Sequence, residues 1–194
     1  MTMPFDAFAD VSDEALLVLY ANGDSEAARA LNVRLTPRAF GQANRMLADR
    51  AEAEDVAQEA MLRLWKIAPD WRQGEAKVTT WLYRVVANLC TDRLRKQRAV
   101  DLDAVPEPED DREDAAGALQ QKARMAALQG ALAELPDRQR LAVSLRHIEG
   151  LANPEIAEIM EISTEAVESL TARGKRALTA ILAGRREELG YTDD

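Results

Sequence analysis

Through most of this 194-residue chain apolar residues recur every three to four positions, the period of a helix that buries one stripe. The pattern predicts a short helix from Ser12 through Tyr20, stopped at Asn22-Gly23. A second is expected from Ser25 towards Leu35, and Thr36-Pro37 reads as the start of a third that reaches about Leu47. Residues 1–11 lack the period and are expected to form an extended or mobile tail. A fourth helix, over residues 51–68, places Val56, Ala60, Met61, Leu64 and Ile67 in its stripe. Glu52, Glu54, Asp55 and Glu59 crowd its N-terminal half, with Arg63 and Lys66 in the other half, an order that suits the helix dipole. Pro69 ends it, and residues 70–77 read as a loop carrying Trp71. A fifth helix is expected from Thr79 or Thr80 to Arg98, burying Leu82, Val85, Val86, Leu89 and Cys90.

From residue 99 to 121 the period disappears. The run from Pro106 through Asp114 has the composition of a solvated, self-repelling linker. Helical spacing resumes near Lys122 with Met125, Leu128, Leu132 and Leu135, and a further helix is expected from Pro136 to near Gly150. Residues 150–178 then read as two short helices around a tight turn. Asn153 is expected to cap the first, with Pro154 at its first position, and Ser163 to cap the second. Ile156, Ala157, Ile159, Met160, Ile162, Val167, Leu170 and Leu178 fall on the inner faces. That layout suits a DNA-reading helix-turn-helix, although an ordinary helical hairpin has the same pattern. Such units often carry glycine where this chain has Glu161; a non-glycine residue at positive φ costs about 1–2 kcal/mol, so either the strain is tolerated or the turn differs. A polar tail follows from residue 184.

The expected fold is therefore all-α: two small helical domains, residues 12–98 and 122–183, joined by an acidic flexible linker, 99–121, with the helix-turn-helix in the second. Nine glycines and seven prolines among abundant Ala, Leu, Glu and Arg agree with it. A net charge of −9 argues against DNA binding only until it is divided along the chain. Residues 1–98 are neutral, 99–121 carry −7 and 122–194 carry −2, so the excess is local and basic patches elsewhere remain free to act. One cysteine, Cys90, and one histidine, His147, exclude an intramolecular disulfide and supply no metal-ligand cluster. Cys90 reads as a small core residue, and His147 as a cation at a helix C-terminus. No apolar run is long enough to span a bilayer and no signal peptide is evident, so a cytoplasmic protein is expected. No catalytic set, metal or cofactor is expected either, since no glycine-rich phosphate loop accompanies the lone His and Cys.

The fifth helix carries the most suggestive surface. Arg84, Asn88, Asp92 and Arg95 recur on one face, Trp81 and Tyr83 stand near its start, and Arg93, Arg95, Lys96 and Arg98 crowd its end. Aromatics at one end and cations at the other suit a nucleic acid whose bases stack and whose phosphates pair. The same residues also fit core aromatics and cations at a helix C-terminus.

An ordered set runs along the chain: Ala53-Glu54-Asp55-Val56-Ala57-Gln58-Glu59 with Trp65; Thr79-Thr80-Trp81-Leu82-Tyr83-Arg84 with Asn88, Asp92 and Arg95; Leu135-Pro136 with Arg140 and Glu149-Gly150-Leu151; and Glu155-Ile156-Ala157 with Ala166-Val167-Glu168-Ser169. Together they resemble the extracytoplasmic-function sigma factors of bacterial RNA polymerase, over roughly residues 22–182. The resemblance implies an upstream region-two domain and a downstream region-four domain, with core polymerase, promoter DNA and an anti-sigma protein as partners. It assigns Asp55, Gln58 and Glu59 to the surface docking on the polymerase clamp helices. It assigns Trp71, Lys77, Thr80, Trp81, Tyr83, Arg84, Asn88, Asp92 and Arg95 to reading and opening the minus-ten element. Residues 163–176 match the recognition helix at the minus-thirty-five element, with Ser163, Thr164, Glu165, Glu168, Ser169, Arg173, Lys175 and Arg176 facing DNA. Many relatives are basic where this chain has Glu168 and Leu170, so their base preference does not transfer. In this family the linker threads into the channel that nascent RNA later occupies, and the −7 segment is expected either to mimic nucleic-acid charge there or to act as a plain tether. A rival reading is a stand-alone helix-turn-helix regulator whose upstream domain dimerises or senses; it predicts duplex binding without polymerase.

Overall fold

The computed structural model describes residues 8–72, 74, 76–101 and 116–184, and among them every regular element is helical. Helix α1 (Asp13–Ala21) is capped by Ser12, whose Oγ accepts the Ala15 N–H at 3.2 Å. The segment before it is held by Arg34, which donates to the carbonyls of Phe8 and Val11 and to Asp13, so residues 8–11 are tied down where an extended or mobile tail was expected.

Helix α2 (Ser25–Leu47) merges the second and third expected helices, with Pro37 inside it. Proline has no N–H for the carbonyl of Val33, a defect worth about 3 kcal/mol in a helix interior. Val33 and Pro37 are both exposed, so that carbonyl lies on the side water can reach. On the opposite face Leu31, Leu35, Ala39 and Ala43 are completely buried, and this uninterrupted stripe carries the helix past the proline. Asp24 caps α2 with bonds from the N–H groups of Glu26 and Ala27, and Asp49 caps α3 (Arg50–Ile67) through Glu52. A 3₁₀ turn, Ala68–Asp70, leads into the loop.

Helix α4 (Val78–Asp101) starts just before the expected threonines because Glu14 of α1 accepts the Val78 N–H at 2.9 Å. Leu82, Val86 and Cys90 are fully buried in α4, and burial pushes the Cys90 thiol up to about 12. Helix α5 (Ala116–Ala133) begins six residues ahead of the expected start near Lys122. Its first turns are rich in Ala and Gln, so helix propensity, rather than an apolar stripe, sets that start. The acidic run from Pro106 through Asp114 lies outside the described residues.

Helix α6 (Asp137–Val143) passes into a π turn, Ser144–Ile148, followed by α7 (Asn153–Met160) and α8 (Thr164–Ala183). Two expectations change here. Ala152, not Asn153, is the N-cap of α7; alanine has no side-chain acceptor, and Glu155 compensates by accepting the Ala152 N–H at 3.1 Å. His147 is held below its ordinary value by burial and by Lys175 and Arg146, which opposes the cationic role expected of it.

The two halves do not keep separate cores. Leu132, Leu135 and Val143 form a small cluster under α8, but Leu141, Leu145, Ile156, Ile159 and Val167 join the large cluster of α1–α4. Arg140, 7 % exposed, fastens the junction by donating to the carbonyls of Met46, Ala133 and Leu135, at the C-terminal ends of α2 and α5.

Candidate nucleic-acid and polymerase interfaces

The upstream surface begins on α3. Asp55 and Gln58 are exposed, whereas Glu59 is half-buried and tied to Arg63 at 2.6 Å and to Arg93 at 3.9 Å. Gln58 borders a groove of about 420 Å³ between α2 and α3, floored by Phe40, Met61 and Trp65 and lipped by Leu62. Leu62 is 60 % exposed and was not singled out in the sequence. A signal for it exists there: it lies one helical turn beyond Gln58 and off the buried stripe.

The loop and α4 form a second surface. Trp71 and Trp81 meet edge to face, with ring centroids 6.3 Å apart. The Trp71 indole N–H is buried without a partner. Beyond this pair Arg84, Asn88, Asp92 and Arg95 lie along one face of α4. Asn88, Asp92 and Arg95 are exposed, and Arg95 donates to Asp92 at 2.9 Å. Thr80 and Tyr83 behave differently, being almost wholly buried.

The downstream half meets Tyr83 directly. The Tyr83 hydroxyl donates to Glu149, which also pairs with Arg45; burial and then this bond push the phenol above its ordinary value, keeping it a neutral donor. Burial pulls the Arg45 guanidinium below its ordinary value, with Glu149 acting the other way. The π turn places Ser144 so that it accepts from Arg45 Nε at 2.7 Å and donates to Gln42 at 2.8 Å. Lys77 donates to Glu155 at 2.6 Å; that bond raises the ammonium and lowers the carboxyl relative to their ordinary values. Arg84 pairs with Glu161.

Glu161 occupies the turn between α7 and α8 with φ 54° and ψ 48°, so the chain accepts a left-handed residue there without glycine. Ser163 caps α8 as expected, accepting the Ala166 N–H at 3.2 Å. Glu165, Glu168, Ser169, Arg173, Lys175 and Arg176 are exposed along α8, Thr164 is half-exposed, and Arg173 donates to Ser169 at 2.7 Å. Acidic residues occupy the first turns of this face and cations the middle. Gly174 lies buried against α6.

A helical domain with an aromatic-headed polar stripe, followed by a helix-turn-helix, defines a class recognisable by comparison. The family model for Sigma-70 region 2 matches residues 33–100, and that for Sigma-70, region 4 matches residues 125–178. The ECF RNA polymerase sigma factor SigM of Mycobacterium tuberculosis is 32% identical over 172 residues, which cover 88% of this chain and 85% of the relative. The chain also superposes on CnrH from its complex with the cytosolic domain of CnrY, with a TM-score of 0.66 and 25% identity, covering 89% of this chain and 97% of that one. A like fold occurs in the sigma factor RpoE bound to the anti-sigma factor NepR from Bartonella quintana, with a TM-score of 0.67, 20% identity and coverage of 80% and 96%. The chain belongs to the extracytoplasmic-function sigma factors of the sigma-70 family. It is thus an alternative sigma factor, a DNA-binding transcription-initiation subunit of RNA polymerase. No helix among the described residues is long and apolar enough to cross a membrane.

Proposed function

We propose that residues 12–98 form the unit that docks on core polymerase and engages the minus-ten element, and residues 122–183 the unit that reads the minus-thirty-five element. The chain acts in the cytoplasm, without catalysis of its own, under an anti-sigma protein. The observation that carries this reading is the Trp71–Trp81 pair at the head of the Arg84, Asn88, Asp92, Arg95 face. A base can be read on all its edges only after leaving the stack, at a cost of a few kcal/mol that aromatic surface and phosphate contacts must offset. In this reading Trp71, Lys77, Thr80, Trp81 and Tyr83 lie near the displaced bases, and Arg84, Asn88, Asp92 and Arg95 follow the strand. The face of α8 from Ser163 to Arg176 enters the duplex major groove. Asp55 and Gln58, with the Leu62 lip and the groove beside it, provide a mixed polar and apolar seat for the polymerase clamp, with Glu59 holding Arg63 and Arg93 in place.

The test is transcription by core polymerase over a promoter library, with and without this chain. A sharply enriched promoter set is expected. Trp81→Ala should abolish melting while leaving polymerase binding intact, and Gln58→Ala with Leu62→Asp should weaken polymerase binding and lose transcription with it. Failure of the purified chain to bind core polymerase would overturn the assignment. Neutralising Asp110, Asp111, Glu113 and Asp114 should change the yield of abortive transcripts if the linker enters the RNA channel, and leave it unchanged if the linker is a tether.

A further inference from the structure

Helix α1 touches both ends of the loop that carries Trp71. At the entrance, Tyr20 of α1 stands against Trp65 in the last turn of α3, with ring centroids 4.7 Å apart and planes tilted by 58°. At the exit, Glu14 of α1 accepts the Val78 N–H at 2.9 Å across 64 residues of chain. The residue next to α4 cannot make that bond. Lys77 takes the cap position, its carbonyl accepting the Trp81 N–H at 3.1 Å, but an ammonium only donates. Val78 is completely buried, so water does not serve its N–H either. The Glu14 carboxylate supplies the missing acceptor and suits the positive end of the α4 dipole. Helix α1 is itself anchored: Leu16 and Leu17 are completely buried, and Arg34 of α2 donates to Asp13 at 3.1 Å and to the Val11 carbonyl at 2.7 Å.

From this arrangement we infer that α1 is a splint for the minus-ten loop: Glu14 and Tyr20 are positioning residues that fix the two ends of the loop, and through them the Trp71–Trp81 pair that receives displaced bases. The inference rests on the minus-ten reading proposed above. The ring pair depends on such support. The Trp71 indole N–H has no partner among the described residues, and Trp81 lies in the first turn of α4, three residues beyond Val78. Packing and the backbone at the two ends therefore hold the rings. If the Val78 N–H loses its acceptor, a buried donor is orphaned, and the first turn of α4 relaxes by fraying or by shifting toward water. Either movement carries Trp81 off Trp71. A base leaving the stack then meets a site that is competent for only part of the time, and capture slows by that fraction.

The test measures the rate of promoter opening by core polymerase saturated with the full chain, read from a fluorescent base analogue in the minus-ten element of a promoter selected from the library. Saturation keeps out of the rate any change in polymerase affinity passed through Trp65, which also floors the groove between α2 and α3. Glu14→Ala removes the acceptor and Tyr20→Leu the ring contact; each should slow opening about fivefold or more, the weight of an orphaned buried donor or a lost aromatic pair. Glu14→Gln, whose amide oxygen still accepts the Val78 N–H, and Tyr20→Phe, which keeps the ring, should open within about twofold of the parent. Asp24→Ala removes the cap of α2 and lowers stability comparably, and should leave the rate unchanged. Parent-like opening in Glu14→Ala and Tyr20→Leu overturns the splint, and so does equal slowing by Asp24→Ala, which would assign the defect to lost stability alone. Failure of Glu14→Gln and Tyr20→Phe to restore the rate overturns the positioning roles. If Glu14→Ala does not fold, the comparison of Tyr20→Leu with Tyr20→Phe decides. Trp81→Ala on the same promoter separates the two readings: lost opening there beside parent-like opening in the α1 variants sinks the splint alone, whereas normal opening with Trp81→Ala sinks the minus-ten assignment itself.

Discussion

Gly174→Ala tests the packing that sets how α8, the proposed recognition helix, is presented. A Cβ built on Gly174 would stand 2.5 Å from Val143 Cγ2, 3.2 Å from the Gln139 carbonyl oxygen and 3.3 Å from Gln139 Cβ. Two effects of opposite sign compete. Replacing glycine by alanine inside a helix ordinarily gains about 0.5–1 kcal/mol. Forcing a methyl group into a closed contact costs about 1–3 kcal/mol. The clash should win, because Val143 is only 2 % exposed and β-branched and one of the other contacts is backbone. A net loss of about 1–2 kcal/mol follows, a drop in Tm of roughly 2–8 °C for a chain of this size. Thermal and urea unfolding of the full chain, followed by circular dichroism, would measure it. Val143→Ala removes the clashing methyl, so Gly174→Ala in that background should recover most of the loss, a coupling of about 1 kcal/mol between the sites. If Gly174→Ala alone were as stable as the parent, or more stable, the glycine would not be there for the helix approach.

Other substitutions probe the remaining elements. Arg140→Met keeps much of the stem volume but leaves the carbonyls of Met46, Ala133 and Leu135 without their donor, and should destabilise the chain by about 3 kcal/mol or more in urea unfolding. Glu161→Gly, made in an Arg84→Ala background where no ion pair is left to lose, should stabilise by about 1 kcal/mol through relief of the left-handed backbone; a loss of stability there would show that the turn is not strained. Glu168→Lys should tighten non-specific duplex binding and steepen its dependence on log salt by about one unit, as one more phosphate is neutralised; an unchanged slope would place residue 168 away from the backbone.

Much of the upstream design was legible in the chain. The stripe of Val56, Ala60, Met61 and Leu64 and the spacing of Arg84, Asn88, Asp92 and Arg95 follow from helical periodicity, and Ser12 and Ser163 cap as their chemistry suggests. Local rules misread α2, because the cost of Pro37 is local while the burial that outweighs it is summed over the whole stripe. They misplaced the cap of α7 by one residue, because Glu155 reaches back to Ala152 and makes a cap residue without a side-chain acceptor workable.

What the sequence by itself determined was the all-helical class, the order of its elements and the residues of the surfaces proposed to meet polymerase and promoter, since each depends on residues close together along the chain. Only the tertiary structure decided which of their side chains are already engaged within the chain. Gln58 and Leu62 border an exposed groove, while Tyr83 is buried beneath Glu149 and Arg84 is paired with Glu161. Those partners lie 66 and 77 residues away along the chain, and no periodicity reports a contact between polar side chains that the folding of separate helices brings together.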